Sequence, residues 1–335
     1  MKINTETLRK ALDFLSMGVT KSLDKYETEL IEFETSNGRL KGYTCDDVNK
    51  LGMRICDTDE TLNVTLKFDM LYNLVKACKD DEIEIVAAKN FTTFKSKTIS
   101  CKLSTFTHSI TKPEFPKYTD SADGSVIREN LPIIKAMLKL DHVEPCYRGV
   151  YFSDYIMASD TDNVAIINEK LFNNILLPYH SVQILSTFDK FDYIVGSRKI
   201  CAFCDGKIVD IALIDKTKYQ YEDILALFSI SNKNKISIDK SIFSNALSTA
   251  SLFGTDKVDL VFDSAGMRIE IPTEDFKYTL SETPCIDRKY TLPMDRIKKF
   301  LIVGDTLTIG YDLEDLVLIE NDKIKTLIGV PKNEK

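Results

Sequence analysis

Thr65-Leu66-Lys67-Phe68-Asp69-Met70-Leu71, running on to Asp81-Glu82-Ile83-Glu84-Ile85, decides the fold, because the same phrase returns twice. It recurs as Leu176-Leu177-Pro178-Tyr179-His180-Ser181-Val182 with Asp192-Tyr193-Ile194-Val195. It recurs again as Thr291-Leu292-Pro293-Met294-Asp295-Arg296-Ile297 with Asp305-Thr306-Leu307-Thr308-Ile309. Lys67, Pro178 and Pro293 hold equivalent places, 111 and 115 residues apart. Each phrase reads as a strand, an amphipathic helix and a second strand. A period that long means three tandem domains of one fold, not a solenoid of short repeats.

Outward from that phrase, each third carries a second helical signal. Leu8, Ala11, Leu12 and Leu15 fall at i, i+3, i+4, i+7, as do Phe243, Ala246, Leu247 and Ala250. That spacing puts four apolar groups on one helix face. The middle counterpart is Ile134, Met137 and Leu138, with Pro132 expected in a first turn, where a missing N–H costs nothing. The helices of the repeated phrase use Phe68, Leu71, Leu74 and Val75; Val182, Leu185 and Phe188; Met294, Ile297, Phe300 and Leu301. Ile99, Cys101, Leu103 and Thr105 alternate with polar neighbours and predict a strand. Asn37-Gly38, Asp205-Gly206 and Ala265-Gly266 predict hairpin turns. The class is α+β, an antiparallel sheet with two helices in each third. Polar, turn-rich stretches at Thr111–Gly124 and Ser229–Lys235 predict boundaries that give domains 1–119, 125–229 and 234–335.

Composition sets limits. The chain has 335 residues, 44% of them hydrophobic, and a net charge of −7. It has no apolar run of the roughly 20 residues a membrane helix needs and no leader-like start, which predicts a soluble, cytoplasmic protein. Eight cysteines include one CxxC, Cys201 to Cys204, without the second pair or clustered histidines of a zinc site. They read as reduced, mostly buried thiols, with no metal and no cofactor expected. The acidic balance argues against a simple tight nucleic-acid binder, but allows a basic inner surface that touches phosphates weakly. Asp46 and Asp160 are the acids an enzyme reading would pair, but they hold equivalent places in different thirds. Neither a phosphate loop nor a Ser-His-Asp set accompanies them. A tandem-module β-rich binding or structural protein would explain the strands and repeats, but not two amphipathic helices per repeat with basic exposed positions.

With three α+β repeats in place, the chain resembles the β sliding clamp of bacterial DNA polymerase III along its whole length. It opens Met1-Lys2-Ile3 and a helix, as that family does. Thr44-Cys45-Asp46 stands where the family has Ala-Thr-Asp. Gly149-Val150-Tyr151-Phe152 followed by Ala158-Ser159-Asp160-Thr161-Asp162-Asn163-Val164-Ala165 matches the second-domain signature. Leu213-Ile214-Asp215-Lys216-Thr217-Lys218-Tyr219-Gln220-Tyr221 matches its close, and Leu327-Ile328-Gly329-Val330-Pro331 the apolar ending. The order and spacing are specific although no single motif is. Identities are sparse, as in a divergent, phage- or plasmid-encoded member. Two-domain clamps of archaea and eukaryotes share the fold, but this length and three copies favour the bacterial type.

The resemblance implies a head-to-tail homodimeric ring around double-stranded DNA, with helices lining the hole. It implies a processivity factor in DNA replication, cytoplasmic and nucleoid-associated, that catalyses nothing. Its partners would be a replicative DNA polymerase, a clamp loader and other proteins carrying clamp-binding motifs. The basic residues on the implied lining are Arg9, Lys10, Lys76, Lys79, Lys135, Lys139, Lys240, Arg296, Lys298 and Lys299, with Lys21 and Lys25 in a DNA-contacting loop. The implied partner-peptide pocket takes Tyr147, Ser159, Thr161, Asp162, Asn163 and Val164. It adds Tyr219, Asp223 and Ile224, then Leu316, and ends with Ile328, Gly329, Val330, Pro331 and Lys332. An apolar cleft with a few polar groups at its rim suits a short linear peptide. Many family members have His-Arg where this chain has Asp162-Asn163, and a basic or polar residue at the place of Asp223. The tail also lacks the usual Met-Pro-Met-Arg. These departures make the rim acidic and predict a partner peptide that carries a basic residue.

Overall fold

The computed structural model describes residues 1–21, 26–229, 234–271, 273–301 and 304–331. The first third runs β1 (Lys2–Asn4), α1 (Thr5–Leu15), β2 (Leu30–Ser36), β3 (Arg39–Cys45), β4 (Asn49–Asp57), β5 (Asn63–Lys67), α2 (Phe68–Ala77), β6 (Glu82–Ala87), β7 (Phe91–Lys95) and β8 (Ser100–Ser104). The second runs β9 (Asp120–Asp123), α3 (Gly124–Ala136), β10 (Gly149–Phe152), β11 (Ile156–Ser159), β12 (Asn163–Ile167), β13 (Ile175–Pro178), α4 (Tyr179–Leu185), β14 (Lys190–Val195), β15 (Lys199–Cys204), β16 (Lys207–Ala212) and α5 (Tyr221–Ser229). The third runs β17 (Lys235–Asp239), α6 (Lys240–Ser251), β18 (Lys257–Asp263), β19 (Gly266–Ile271), β20 (Phe276–Ser281), β21 (Arg288–Pro293), α7 (Met294–Phe300), β22 (Thr306–Gly310), β23 (Leu316–Glu320) and β24 (Ile324–Gly329). The order strand, helix, four strands, helix, three strands thus occurs three times, and among the described residues α5 is the one added α-helix.

All strand pairs within the sheets are antiparallel, and the sheets cross the limits of the thirds. One eight-stranded sheet has the order β5-β2-β3-β4-β16-β15-β14-β9, and the other β13-β10-β11-β12-β24-β23-β22-β17. Pairing of β4 with β16 puts Gly52 opposite Ile208, and pairing of β12 with β24 puts Val164 opposite Leu327. Two four-stranded sheets, β1-β6-β7-β8 and β20-β19-β18-β21, complete the set. Because these ladders tie halves of different thirds together, the chain clusters into two compact units. One is Met1–Ser125 with Ile184–Leu213, the other Val126–Gln183 with Ile214–Lys335. The middle third contributes to both.

The helices form for the reasons their spacing gives. Asn4 caps α1 by accepting from the Thr7 N–H at 3.0 Å, and Leu8, Ala11, Leu12 and Leu15 are fully buried. Asp239 caps α6 in the same way through Ser241, and Phe243, Ala246, Leu247 and Ala250 lie inside. Pro178 and Pro293 end β13 and β21 where the next helix begins. Pro132 departs from expectation. It lies well inside α3, which starts at Gly124, two turns earlier than the spacing predicts. Its ring is on the exposed side while Ile127, Ile133 and Ile134 are buried, so core burial outweighs a proline cost of about 3 kcal/mol. Asn37-Gly38 and Asp205-Gly206 both have positive φ at each residue, the signature of tight primed hairpins. At Ala265-Gly266 only the glycine does. All eight cysteines are free and five are buried. Burial, with the Asp210 carboxylate beside it, holds the Cys201 thiol up at about 12, so it is an inert core group. No helix among the described residues is long and apolar enough to cross a membrane.

The polar stretch after β8, expected as a plain linker, is strapped across the first unit. Lys112 pairs with Glu32 and Glu34, Tyr118 stacks on Phe203, and the Glu114 N–H donates to Asp210 at 3.1 Å. Lys199 bridges Glu114 at 2.8 Å and the buried Asp210 at 2.9 Å. Burial pulls its ammonium down, but the hydrogen bonds to Glu114 and Asp210 together outweigh it, and the net shift is upward. Replacing Lys199 with Met leaves the Asp210 carboxylate inside without its cation. The expected result is a loss of about 2 kcal/mol in urea unfolding, less than for a fully buried pair because Lys199 is one-third exposed.

Candidate functional site

Of the basic residues, Arg9, Lys10, Lys76, Lys135, Lys240, Arg296 and Lys298 lie on helices, whereas Lys21, Lys79 and Lys139 lie beyond the ends of α1, α2 and α3, and they are not alike. Lys10, Lys76, Lys79, Lys135, Lys139 and Lys298 are exposed. Lys76 holds its Nζ 4.8 Å above the Tyr72 ring. Lys21 is exposed, 3.7 Å from Asp69. Lys240 is half-buried at the start of α6. Arg9 is tied to Glu6 and to the Cys78 carbonyl. Lys25 and the side chain of Lys299 lie outside the described residues. Beyond Lys240, α6 carries Ser241, Ser244, Ser248, Thr249 and Ser251 and no further basic residue, so positive charge is uneven among the helices. Arg128 is exposed on α3 and was missed, because the spacing starts that helix later.

Arg296 does not project as the resemblance implies. Its guanidinium donates to Asp162 at 2.8 Å and to the Gly329 carbonyl at 3.1 Å. The Gly329 N–H donates to the Asp162 carbonyl at 2.8 Å. A Cβ at Gly329 would stand 2.6 Å from that carbonyl, so only glycine permits the approach. Asp162 is therefore neutralised within the chain. Of the acidic rim read from the sequence, Asp223 remains, exposed beside Glu222. The expectation of a more acidic rim therefore rests on Asp223 more than on Asp162.

Three turns explain the repeated acids. Asp46 accepts from the N–H groups of Val48 and Asn49, and Asp160 from those of Asp162 and Asn163. Asn321 does the same for Lys323 and Ile324. Each closes a hairpin through its side chain, which gives Asp46 and Asp160 a structural reason to be there. In the second of these turns Thr161 has φ +79°, a region a β-branched residue rarely enters. That strain lies in the segment carried over as pocket rim.

One face of the second unit's large sheet holds the apolar part of the pocket set. Tyr151, Met157, Ile166, Val164, Leu327 and Leu318 share it, as their cross-strand pairing requires. Half-buried Tyr147, Ile224 and Leu316 pack against it. Ile328 is on the opposite face, paired with Asn163 and Val317, and is wholly buried. That position belongs to the core, whereas its neighbour Leu327, also buried, shares the face of Tyr151 and Val164. Ser159 is buried, its hydroxyl donating to the Asn163 carbonyl. Val330 and Pro331 are half-buried, and Lys332 lies outside the described residues.

Tyrosines crowd the site. Tyr219 lies 5.8 Å from Tyr147 and 5.5 Å from Tyr151, and Tyr151 4.4 Å from Tyr221, between ring centres. Tyr219 is 6% exposed, and its hydroxyl has no hydrogen-bond partner among the described residues. Burial pushes that phenol strongly upward, so it stays neutral. A cavity of about 420 Å³ opens beside Tyr219, Tyr221 and Asp223. Helix α5 covers the sheet with Tyr221, Ile224, Leu225 and Phe228. Their i, i+3, i+4, i+7 spacing was a legible signal that the sequence reading did not use.

No family model matches the chain, and no curated protein matches it in sequence. Solved structures do match. A putative DNA polymerase III beta subunit from Eubacterium rectale superimposes with a TM-score of 0.85 at 14% identity over 99% of both chains. The DNA polymerase sliding clamp of Bacillus subtilis gives 0.85 at 15%, over 99% of this chain and 98% of that one. The Helicobacter pylori beta clamp bound to a DNA ligase peptide gives 0.83 at 15%, over 99% of both. At such identity the likeness defines the fold: the chain has the three-domain architecture of the beta sliding clamps.

Proposed function

We propose that two copies of this chain close head to tail around duplex DNA and act as a sliding clamp, tethering a replicative polymerase and other partners. The observation that carries this is a pair of unused sheet edges. By the repeat, β4, β12 and β20 are counterparts, as are β16, β24 and β8. Two of the three cross-pairs, β4 with β16 and β12 with β24, form within the chain. The remaining strands, β20 and β8, end their four-stranded sheets. Such edges are templates for pairing with another chain, and a heterologous contact made twice by two copies closes.

The chemistry of the two edges is complementary. Lys102 lies on β8 with Lys95 and Lys97 ahead of it, and Glu274, Asp275 and Glu282 flank β20. Beside β20 the end of α6 exposes Leu252 at 82% and Phe253, whose ring meets Phe276 at 5.0 Å. Retention on DNA would be topological. Inner lysines need only weak, sequence-independent phosphate contact, since many tight contacts would stop sliding. Partners would dock linear peptides on the tyrosine-rich face of the second unit, the mode that the peptide-bound Helicobacter pylori clamp suggests. A loader would open the ring, and the chain itself would perform no chemical step. Sedimentation is expected to return a dimer. After loading onto nicked circular DNA, the protein is expected to stay until the circle is cut. A monomer at micromolar concentration, or equal retention on circular and linear DNA, would refute the reading.

A further inference from the structure

We propose that a notch on the first unit's large sheet is a second docking groove, for a linear peptide carrying acidic residues around an apolar anchor. Four strands build it. Tyr43 on β3, Gly52 on β4, Ile208 on β16 and Phe203 on β15 are cross-strand neighbours in one row, and so share a face. Gly52 lies six residues beyond the turn acid Asp46, and Ile166 six beyond Asp160, so the two hold equivalent places. Where the second unit puts isoleucine, the first puts no side chain. An added Cβ at Gly52 would come within 2.9 Å of both Ile208 and the Tyr43 ring. Glycine there lets Tyr43 and Ile208 close in over the backbone, and a cavity of about 340 Å³ lies against this row, near the lower limit for ligand pockets and suited to one large apolar side chain.

The groove's charge selects the ligand. Arg39, Lys41 and Arg54 line it, and no acidic residue does among the described residues. Arg39 and Lys41 alternate with Tyr43 along β3, and Arg54 follows Gly52 at the same interval on β4, so all three cations share the face of the notch. Asp57 pairs with Arg54 at 2.6 Å and with Arg39 at 3.6 Å, leaving a surplus of positive charge. The nearby Glu32 and Glu34 are both taken by Lys112. Phe115, from the strap, stands 58% exposed at the groove with the Lys41 Nζ 5.4 Å from its ring. Counting Lys112, four cations here face the three carboxylates of Asp57, Glu32 and Glu34, so on a chain of net charge −7 the surface around this apolar floor is net positive by one. A phosphate backbone would use the cations and leave the floor empty, whereas an acidic peptide with a leucine or aromatic anchor uses both. The groove lies wholly within one unit and needs no second copy, so it does not depend on ring closure.

The test uses the full chain and fluorescent twelve-residue synthetic peptides with a Leu-Phe anchor among aspartates and glutamates. Fluorescence anisotropy is expected to show binding that falls about tenfold when the acids become amides, and about tenfold when the anchor becomes serine. K41E/R54E is expected to weaken binding by at least about tenfold, and the milder K41Q/R54Q by less, with unchanged circular dichroism. Affinity indifferent to K41E/R54E overturns the proposal. So does loss of binding with Ile224→Asp instead, which would seat the peptide in the second unit. A labelled single-stranded twelve-mer that binds more tightly than the peptide and is lost with K41E/R54E makes the groove a nucleic-acid site, and also overturns it.

Discussion

Replacing Leu252 and Phe253 with glutamate is expected to give a folded monomer. The two side chains are 82% and 49% exposed in the isolated chain, so their loss costs the fold little. In the proposed dimer each is covered once per junction, and there are two junctions. Burying a large apolar side chain stabilises by about 1.5–3 kcal/mol. Taking the lower figure for both residues at both junctions gives about 6 kcal/mol, or about four powers of ten in dissociation constant. Sedimentation equilibrium checks the outcome, and retention on circular DNA should vanish with the dimer. A dimer that persists would place the contact elsewhere. Lys102→Pro probes the strand edge separately. Thr105 donates its N–H toward β7, at Asn90, so by alternation the Lys102 N–H points outward. Proline there removes only the outward donor. One hydrogen bond lost at each junction, about 2 kcal/mol in all, would weaken the dimer about thirtyfold.

The repeat was legible because each strand-to-helix passage imposes its own composition, and Lys67, Pro178 and Pro293 mark that passage three times. Helix faces were legible for the same reason: Leu8 to Leu15 and Phe243 to Ala250 bury the residues their spacing selects. What escaped depends on facts that spacing does not carry. Leu327 and Ile328 are adjacent and both apolar, and only pairing with Val164 and Asn163 decides which shares the face of Tyr151, since a shift of one residue exchanges them. Arg296 reads as one cation among several, yet its partner Asp162 is 134 residues away in the chain. Pro132 misplaced the start of α3 because core burial overrode a local preference. Gly52 carried no signal until Tyr43 and Ile208 were known to flank it.

Reversing Lys76, Lys135, Lys139 and Lys298 to glutamate is expected to shorten primer-extension products severalfold at physiological salt while leaving the dimer intact. These four are chosen because they are exposed on or beside α2, α3 and α7. Arg9 and Arg296 are left out: each serves its own chain, through the Cys78 carbonyl and through Asp162 with Gly329, so changing them would test stability. Four reversals shift each chain by eight units of charge and the dimer by sixteen. Duplex DNA carries one negative charge per about 1.7 Å of axis, and screening at physiological salt acts over about 8 Å. A wall turned negative within that range repels the duplex it must admit, and loading suffers first. The defect should deepen as salt is lowered, because repulsion is then less screened. For lost attraction alone, lowering salt would restore binding. Products of unchanged length would mean that these helices do not face the DNA.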